Sequence, residues 1–347
     1  MTTWPEGHIG VVCAGAITVD LGKIIDRYPL PEELAVIEEL TLSTGGPALN
    51  MAVDLRQLGA CFPIGMIGAI GNDENGELVE SRCRRQNIDI TEVQKISGAT
   101  TSFTDAMVER RSGRRTFFLH FGANSLFDAS EYPIENSSAR ILHIGAPGIH
   151  ALMDAASADG GNGWVSLLRR AQSAGLHTNM ELVSLEPELM VKIARPCLPW
   201  LNSVIINELE ASSLLGVAAP QASVDGPVDW AALEALATGL VACGVSTLAV
   251  VHFPAGCVAA APGCKPWRQG SVRLADDDIC SSTGAGDAFA AGVIYGIHES
   301  WPVPDCLRLG SASAAASLRS MSTNDGILEA QACLDWAAQV GYRSVAE

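Results

Sequence analysis

Basic residues are scarce in this chain of 347 residues. It has 22 lysines and arginines against 39 aspartates and glutamates, which gives a formal net charge of −17. A surface this negative repels nucleic-acid backbones and anionic lipid, so we expect neither as a partner. A small anionic ligand remains compatible, because a few converging backbone N–H groups can outweigh a diffuse global charge.

Patterns that would indicate other protein classes are also missing. The chain does not start with a basic segment followed by an apolar stretch, and its longest uncharged stretch, residues 236–264, is broken by glycines and prolines. We therefore expect no secretion signal, no membrane helix and a cytoplasmic location. The ten cysteines form no C-x-x-C pair and no cluster at zinc-like spacing, which predicts simple apolar thiols, mostly buried.

Short apolar runs alternate with segments of helical periodicity. The runs cover residues 11–14, 62–67, 141–144, 204–206 and 248–251, and the helical segments include residues 48–58, 165–174 and 230–242. Such alternation predicts an α/β fold, a three-layer α/β/α sandwich around a central, mostly parallel sheet. With 48% hydrophobic residues, residues 1–347 can build a sizeable core, and we expect a single domain.

Two segments, about residues 18–44 and 98–122, lack good helical periodicity. The second contains two apolar runs on either side of a basic turn around Gly113, which predicts a β-hairpin. A small sheet inserted into an α/β domain is a plausible lid over a binding cleft. Lid sheets with open edges often pair, so a homodimer through the lid is a further expectation.

The most informative stretch runs from Ser281 to Gly292, with sequence SSTGAGDAFAAG. Gly284 and Gly286 permit a tight turn, and a helix follows from Asp287 onward. The N–H groups and the positive dipole end of such a helix suit an anion, here a phosphoryl group. Asp287 could be a helix cap or a base that accepts a hydroxyl proton, and the residues alone leave both interpretations open.

Other glycine-rich and catalytic motifs fit less well. A dinucleotide-binding fingerprint would need a third glycine where Phe289 stands, and it should follow an early strand. The chain has no G-x-x-x-x-G-K-[ST], no G-x-S-x-G and no H-E-x-x-H. These absences argue against a P-loop enzyme, an α/β-hydrolase and a zinc protease.

Two motifs together resemble a known family. TGAGDAFAAG at residues 283–292 is similar to the C-terminal signature of ribokinase-like (PfkB) carbohydrate kinases, and GGPALN at residues 45–50 is similar to their N-terminal signature. Both occur in the family's order, and the resemblance covers about residues 10–330. It implies ATP-dependent phosphorylation of a hydroxyl group, with ATP and Mg²⁺ as cofactors and a small sugar or nucleoside as substrate.

The resemblance also implies roles for individual residues. Asp287 would be the general base, and the backbone N–H groups of Gly284, Ala285 and Gly286 would form the anion hole. The acceptor would be held by Asp20, Gly45, Gly46, Asn50 and Asn124. The nucleotide would be bound by Asn207, Gly256, Thr283 and Ser311. Asn207 and Glu210 would hold Mg²⁺, partly through water, although an Asn and a Glu at this spacing could equally cap the next helix.

Three departures from the family pattern matter. Phe253 stands where relatives carry glycine, which predicts a reshaped or narrowed ATP cleft. Ser281 replaces an aspartate that many relatives have before the glycine turn, which puts a monovalent-cation (K⁺) site in doubt. Residues 178–181, TNME, replace the Asp-x-Asn common among sugar kinases, so an ordinary ketohexose or hexonate is less certain as substrate.

Three functions remain open at this point. The first is a kinase for a sugar or a sugar-containing metabolite. The second is a nucleoside kinase of adenosine or pseudouridine type, in which Phe103 or Phe121 could stack on a base. The third is a catalytically silent metabolite-binding protein on the same fold, which the altered nucleotide loop favours and the intact glycine turn opposes.

Overall fold

The computed structural model describes residues 4–158, 160–224, 226–320 and 324–345. The strands are β1 Val11–Gly15, β2 Thr18–Ile25, β3 Ile37–Gly45, β4 Ile64–Gly71, β5 Asp89–Ile96, β6 Phe103–Glu109, β7 Arg115–His120, β8 Ile141–Gly145, β9 His177–Glu181, β10 Ser203–Asn207, β11 Leu248–Phe253, β12 Gly256–Ala260 and β13 Trp267–Gly270. The helices are α1 Pro47–Gln57, α2 Glu74–Arg85, α3 Ala151–Asp154, α4 Gly163–Ser173, α5 Pro187–Ala194, α6 Glu208–Leu215, α7 Trp230–Ala242, α8 Ala285–His298, α9 Val303–Ser317 and α10 Ala330–Val340.

Nine strands form the main sheet, in the order β13-β12-β11-β10-β9-β8-β1-β4-β5. The neighbours from β11 to β5 run parallel, and only β12 and β13 are antiparallel additions at one edge. The predicted mostly parallel sheet is confirmed. The strand order reverses beside β1, whose neighbours are β4 and β8, and ligands bind open α/β sheets at the carboxyl ends of strands around such a point.

The core lies in two layers, one on each face of this sheet. Helices α1, α8, α9 and α10 contribute to one buried apolar cluster, and helices α4, α5, α6 and α7 contribute to the other. The strands are buried on both sides, which explains why their sequences are continuous apolar runs rather than alternating patterns. The three-layer arrangement predicted from the sequence is therefore present.

Helix α1 begins and ends where its sequence signals indicated. Gly46 is the N-cap with φ of 91°, and Pro47 occupies the first helical turn, where its missing N–H costs no hydrogen bond. The helix ends before Gly59, whose φ of 83° suits only glycine without strain. The Gly46 turn carries the chain from the end of β3 directly into the helix, so α1 starts beside the lid.

The remaining four strands form a separate small sheet in the order β3-β2-β6-β7. They lie within residues 18–45 and 103–120, and β6 and β7 form the predicted antiparallel hairpin. Side chains alternate between the two faces of a strand. In β3 this alternation turns Thr41 and Ser43 toward the main sheet, while Leu40 and Leu42 lie on the opposite face.

In the described part of the chain, no helix is both long enough and apolar enough to cross a bilayer.

A close approach between α1 and β8 leads to a stability prediction. A Cβ at Gly145 would lie 2.7 Å from the Ala48 backbone nitrogen and 2.9 Å from Pro47 Cβ, so Gly145→Ala must push α1 away from the sheet. We expect it to lower the free energy of unfolding by about 1–3 kcal/mol, measured by denaturant titration.

Gly65→Ala is the matched control in the same sheet. A Cβ there would meet only Val12, at 4.0 Å. We expect a change within about 0.5 kcal/mol, as for substitutions away from tight packing. Equal stability of the two variants would show that the approach of α1 to the sheet is not constrained at Gly145.

Candidate active site

A cleft of about 640 Å³ separates the lid from the carboxyl edge of the main sheet. The polar side chains that line the cleft come both from the lid and from the part of the chain around the main sheet. They are Thr18, Asp20, Lys23, Thr41, Ser43, Asn50, Thr104, Arg115, Ser184, Glu210, Ser281, Thr283 and Asp287. The N-terminal ends of α1 and α8 both open into this space. The predicted residues Asp20, Gly46, Asn50, Thr283, Glu210 and Asp287 are therefore brought together.

The turn before α8 has the geometry of an anion-binding helix terminus. Gly284 adopts φ of 83° and caps the helix, and among the described residues no side chain accepts from the first N–H groups. The Ala285 N–H makes only a long bond of 3.4 Å to the Ser282 carbonyl. Free N–H groups at a helix N-terminus attract anions because their partial charges add to the helix dipole.

Asp287 lies in the first turn of α8 and is tied to α1. Asn50 Nδ2 donates a hydrogen bond of 2.6 Å to Asp287 Oδ2, which fixes the direction of the carboxylate. Burial raises the pKa of Asp287 to about 7, and the negative charge of Glu181 adds to this effect. A carboxylate with a pKa near neutrality can both accept and release a proton at physiological pH.

Two buried side chains, Asn324 and Asp54, support the position of Asn50. Asn324 Nδ2 lies 3.4 Å from Asn50 Oδ1 and donates a hydrogen bond of 2.6 Å to Asp54 Oδ1. Asp54 is fully buried, which raises its pKa well above the usual range, and among the described residues its Oδ2 has no hydrogen-bond partner. Burial therefore disfavours a second negative charge on Asp54 close to Asp287.

A row of buried polar side chains crosses the sheet beneath α8. His143 Nε2 lies 3.0 Å from Glu181 Oε1, and the Asn179 amide contacts His143 Nδ1 at 2.8 Å and Ser203 Oγ at 2.7 Å. Burial lowers the pKa of His143 to about 3 and raises the pKa of Glu181 well above its usual range. His143 is therefore neutral near pH 7, and this row occupies the place where the sequence departs from Asp-x-Asn.

Asp20 faces the cleft from β2. Burial raises its pKa to about 6, while hydrogen bonds from Thr104 and Thr18 oppose that rise. Gly45 explains how the carboxylate fits, because a Cβ at that position would lie 2.1 Å from Asp20 Oδ2. The glycine in the N-terminal motif thus makes room for a carboxylate that the same family resemblance predicted in the site.

Glu210 and Asn207 form a reciprocal capping box at the start of α6. Asn207 Oδ1 accepts from the Glu210 N–H at 2.9 Å, and Glu210 Oε2 accepts from the Asn207 N–H at 3.0 Å. The capping interpretation left open by the sequence is therefore observed. Glu210 also lines the cleft, and burial raises its pKa to about 7.

Five predicted binding residues are not part of the cleft lining: Gly45, Asn124, Asn207, Gly256 and Ser311. Asn124 is fully buried and exchanges hydrogen bonds with the backbone N–H and C=O of Ile17, so it braces the turn between β1 and β2. Gly256 opens β12, where a Cβ would lie 2.3 Å from the Gln269 carbonyl oxygen. Ser311 is buried in α9 and hydrogen-bonds the Cys257 thiol.

Phe253 does not narrow the cleft described here. It is buried and packs edge-on against Trp230, with ring centroids 5.5 Å apart, in the apolar cluster on the side of the sheet away from α8. The side chain beside it, His252, points the other way and contacts Phe289 of α8. Strand alternation thus turns the bulky residue into the core and not toward the glycine turn.

Residues 9–330 match the family described as pfkB family carbohydrate kinase. The chain belongs to this family. The pfkB kinases are phosphotransferases with an alcohol group as acceptor, so the enzyme class predicted from the sequence is confirmed.

Named relatives of this pfkB kinase include sugar kinases that match over most of their length. It is 24% identical over 324 residues to a 5-dehydro-2-deoxygluconokinase from Clostridium perfringens, covering 91% of this chain and 88% of the relative. It is 25% identical over 327 residues to a ribokinase from Haemophilus influenzae, covering 93% and 96%. The structure of Arabidopsis thaliana ribokinase complexed with ribose and ATP superposes with a TM-score of 0.77 at 19% identity, covering 95% and 98%.

Sequence reasoning missed several groups in this pfkB kinase. Arg115 was interpreted only as part of a basic turn, yet it reaches into the cleft from β7. Glu181 was noted only as part of the departure at residues 178–181, His143 was not singled out, and nothing local shows that they meet. A signal did exist for Glu181, since a carboxylate at the carboxyl end of a buried strand needs a partner or a function.

The bond from Asn50 to Asp287 leads to a titration prediction. Asn50→Leu removes a donor to the carboxylate while roughly keeping the side-chain volume, so the pKa of Asp287 should rise above about 7. Carbon-13 NMR of the aspartate carboxyl groups measures this, with the Asp287 resonance assigned by its loss in Asp287→Asn.

Asn136→Leu, at an exposed position, is the control and should leave the Asp287 titration unchanged. An Asp287 pKa that stays the same or falls in Asn50→Leu would mean that the Asn50 amide does not stabilise the charged carboxylate.

Proposed function

We propose that this pfkB kinase transfers the γ-phosphoryl group of ATP to a hydroxyl of a sugar or a sugar-containing metabolite, with Asp287 as general base. The observation that carries the proposal is the position of Asp287. Its carboxylate has a pKa of about 7 and lies at the uncapped N-terminus of α8, inside a cleft that a lid covers. A proton acceptor and an anion-binding helix terminus at one point are what phosphoryl transfer to a hydroxyl requires.

Each part of the cleft has a role in this reaction. Asp287 takes the proton from the acceptor hydroxyl as the oxygen attacks phosphorus. The N–H groups of Gly284, Ala285 and Gly286 stabilise the negative charge on the transferred group, as donors do in an oxyanion hole. Asp20 accepts from the acceptor's other hydroxyls, and the lid excludes water, which would otherwise compete for the phosphoryl group.

The donor set suits Mg²⁺ that keeps most of its water. The described residues contain no cluster of three or more His, Cys, Asp or Glu side chains able to hold a metal. Glu210 is one of three carboxylates that line the cleft, with Asp20 and Asp287, and Mg²⁺ bound with a nucleotide needs only one or two carboxylates besides waters and phosphate oxygens. When bound, Mg²⁺ would neutralise phosphate charge, and Glu210 would hold it directly or through water.

Most of the residues proposed for nucleotide binding act by positioning other groups. Asn207 fixes the cap that orients Glu210, and Thr283 presents its hydroxyl to the cleft. Gly256 shapes the hairpin that contains β12, and Ser311 belongs to α9. We place the adenine between these two elements. We add no monovalent-cation site, since the Ser281 hydroxyl replaces the carboxylate on which we would base one.

A sugar or sugar acid suits the cleft better than a nucleoside. The named relatives are a ribokinase and a 5-dehydro-2-deoxygluconokinase. Phe103 and Phe121, the aromatic residues predicted to stack on a base, are not part of the cleft lining, and Phe117 is the single aromatic residue within it. The intact Asp287 and glycine turn favour an active enzyme over a silent binding protein.

A turnover screen tests the proposed function. Purified protein with ATP and Mg²⁺ is assayed for ADP release against sugars, sugar acids, sugar phosphates and nucleosides. With the best acceptor, Asp287→Asn should reduce kcat by about 10²–10⁴-fold, the usual contribution of a general base, and leave ATP affinity within threefold.

Asp277→Asn, in the exposed acidic turn before α8, is the matched control and should behave as wild type. A kcat for Asp287→Asn within tenfold of wild type would remove Asp287 as the base. Nucleotide binding without turnover of any acceptor would favour the silent binding protein.

We also propose a homodimer formed through the lid. The lid face turned away from the cleft exposes Leu40 by 71%, Leu42 by 58% and Phe118 by 58%. Its edge strands β3 and β7 have no outer neighbour among the described residues. A second copy of the lid would cover the apolar side chains, whose exposure to water is unfavourable, and would also cover an open edge of the sheet.

Sedimentation equilibrium tests the dimer. The wild type should sediment with twice the chain mass, and Leu40→Glu should shift it to the mass of one chain, because a charge cannot be buried unpaired. Leu152→Glu, on a leucine that is 52% exposed outside the lid, should remain dimeric. A wild type with the mass of one chain would rule this dimer out.

A further inference from the structure

Arg115 connects the lid to the turn that opens α8. It is the first residue of β7, and its Nη1 donates a hydrogen bond of 2.7 Å to Thr283 Oγ1. The same nitrogen lies 3.3 Å from Ser281 Oγ. Both hydroxyls belong to the short segment that leads into Gly284. The Arg115 side chain therefore extends from the lid to the N–H groups at the start of α8 that we propose as the anion hole.

The charge of this guanidinium is not compensated by a carboxylate. In the described ranges no acidic side chain lies within ion-pair distance of Arg115, although the chain carries 39 acids. Three neighbouring cations do have such partners: Arg114 pairs with Glu109, Arg110 pairs with Glu38 and Glu39, and Lys23 pairs with Asp105. Arg111 also has no ion pair among the described residues, but unlike Arg115 it is exposed to solvent. A half-buried arginine held only by neutral hydroxyls in a strongly acidic protein indicates an anionic ligand at that position.

The chemistry of arginine narrows the kind of anion. A guanidinium presents a planar fork of N–H donors that matches two oxygens of a carboxylate or phosphoryl group. Three groups in the reaction carry such oxygens: the transferred phosphoryl group, the other phosphates of the nucleotide and an acidic substituent of the acceptor. The position of Arg115 favours the phosphoryl group, because its bonding partner Thr283 directly precedes Gly284, where the free N–H groups of α8 converge.

We propose that Arg115 is a further catalytic residue, whose guanidinium binds the oxygens of the phosphoryl group during its transfer. This inference rests on the proposed function. Because Arg115 belongs to the lid, the cation reaches the phosphoryl group only when the lid covers the cleft. The anion hole is then complete when water is excluded and incomplete when water has access, which suppresses wasteful hydrolysis of ATP.

The serine at position 281 fits this role. Its hydroxyl accepts from Arg115 and from the Thr283 N–H without neutralising the guanidinium. A carboxylate at the same position would form an ion pair with Arg115 and compete with the phosphoryl oxygens. Ser281→Asp should therefore weaken the function of Arg115 while leaving the arginine itself in place.

The test uses ADP with Mg²⁺ and aluminium fluoride as a mimic of the phosphoryl group in transfer, with affinities measured by calorimetry. Arg115→Ala should weaken binding of the mimic by about 10²–10³-fold, the usual effect of losing one donor to a developing oxyanion. The affinity for ADP alone should stay within threefold. Arg115→Lys should fall between Arg115→Ala and wild type, because lysine keeps the charge but not the fork.

Arg114→Ala is the matched control, since it removes the adjacent arginine, which is 70% exposed and turned to solvent. It should bind the mimic as wild type does. Ser281→Asp should resemble Arg115→Ala with the mimic and bind ADP as wild type does.

Each outcome decides between the hypotheses. Equal affinity of wild type and Arg115→Ala for the mimic would overturn the role of Arg115 while leaving the kinase intact. An effect of Arg115→Ala confined to the KM of an acidic acceptor would also overturn it, since the arginine would then recognise the acceptor. Absence of ADP binding to the wild type would overturn the proposed function, and this inference with it.

Discussion

The hydrogen bond between Asn50 and Asp287 is the interaction on which the rest of the site depends. It joins the N-terminal turns of α1 and α8, which are 237 residues apart in the chain. Since α8 also carries the N–H groups that we propose as the anion hole, this one contact fixes the carboxylate relative to them. Its geometry requires α1 to lie close against β8, and Gly145 is the residue that permits this approach.

Carboxyl groups crowd around this bond, and burial is the main cause of their raised pKa values. Burial raises the pKa of Asp20 to about 6, and burial together with neighbouring acids raises those of Glu210 and Asp287 to about 7. The protein can still attract a phosphate group because the opposing charge is local. It comes from the helix terminus after Gly284 and, in our proposal, from Arg115. A net charge of −17 therefore describes the surface and not the cleft.

The two faces of the lid sheet carry different side chains and, in our proposals, have different functions. Alternation along β3 places Thr41 and Ser43 on the cleft side and Leu40 and Leu42 on the outer side. In our proposals, the inner face closes over the acceptor and the outer face binds a second chain. A dimer formed in this way would hold each lid from outside, so assembly and closure would act on the same four strands.

Patterns within short segments determined the parallel sheet, the helices on both of its faces, the β6–β7 hairpin and the two glycine motifs. Local physics also decided the cap made by Asn207, because a helix N-terminus satisfies its own N–H groups from nearby side chains. Only the tertiary structure decided that Arg115 meets Thr283, that Glu181 meets His143 and that Phe253 turns into the core. These contacts join residues that are distant in the chain. They depend on the register of the strands and on which face of a strand is buried, and packing over the whole sheet fixes both. A local sequence pattern therefore does not predict them.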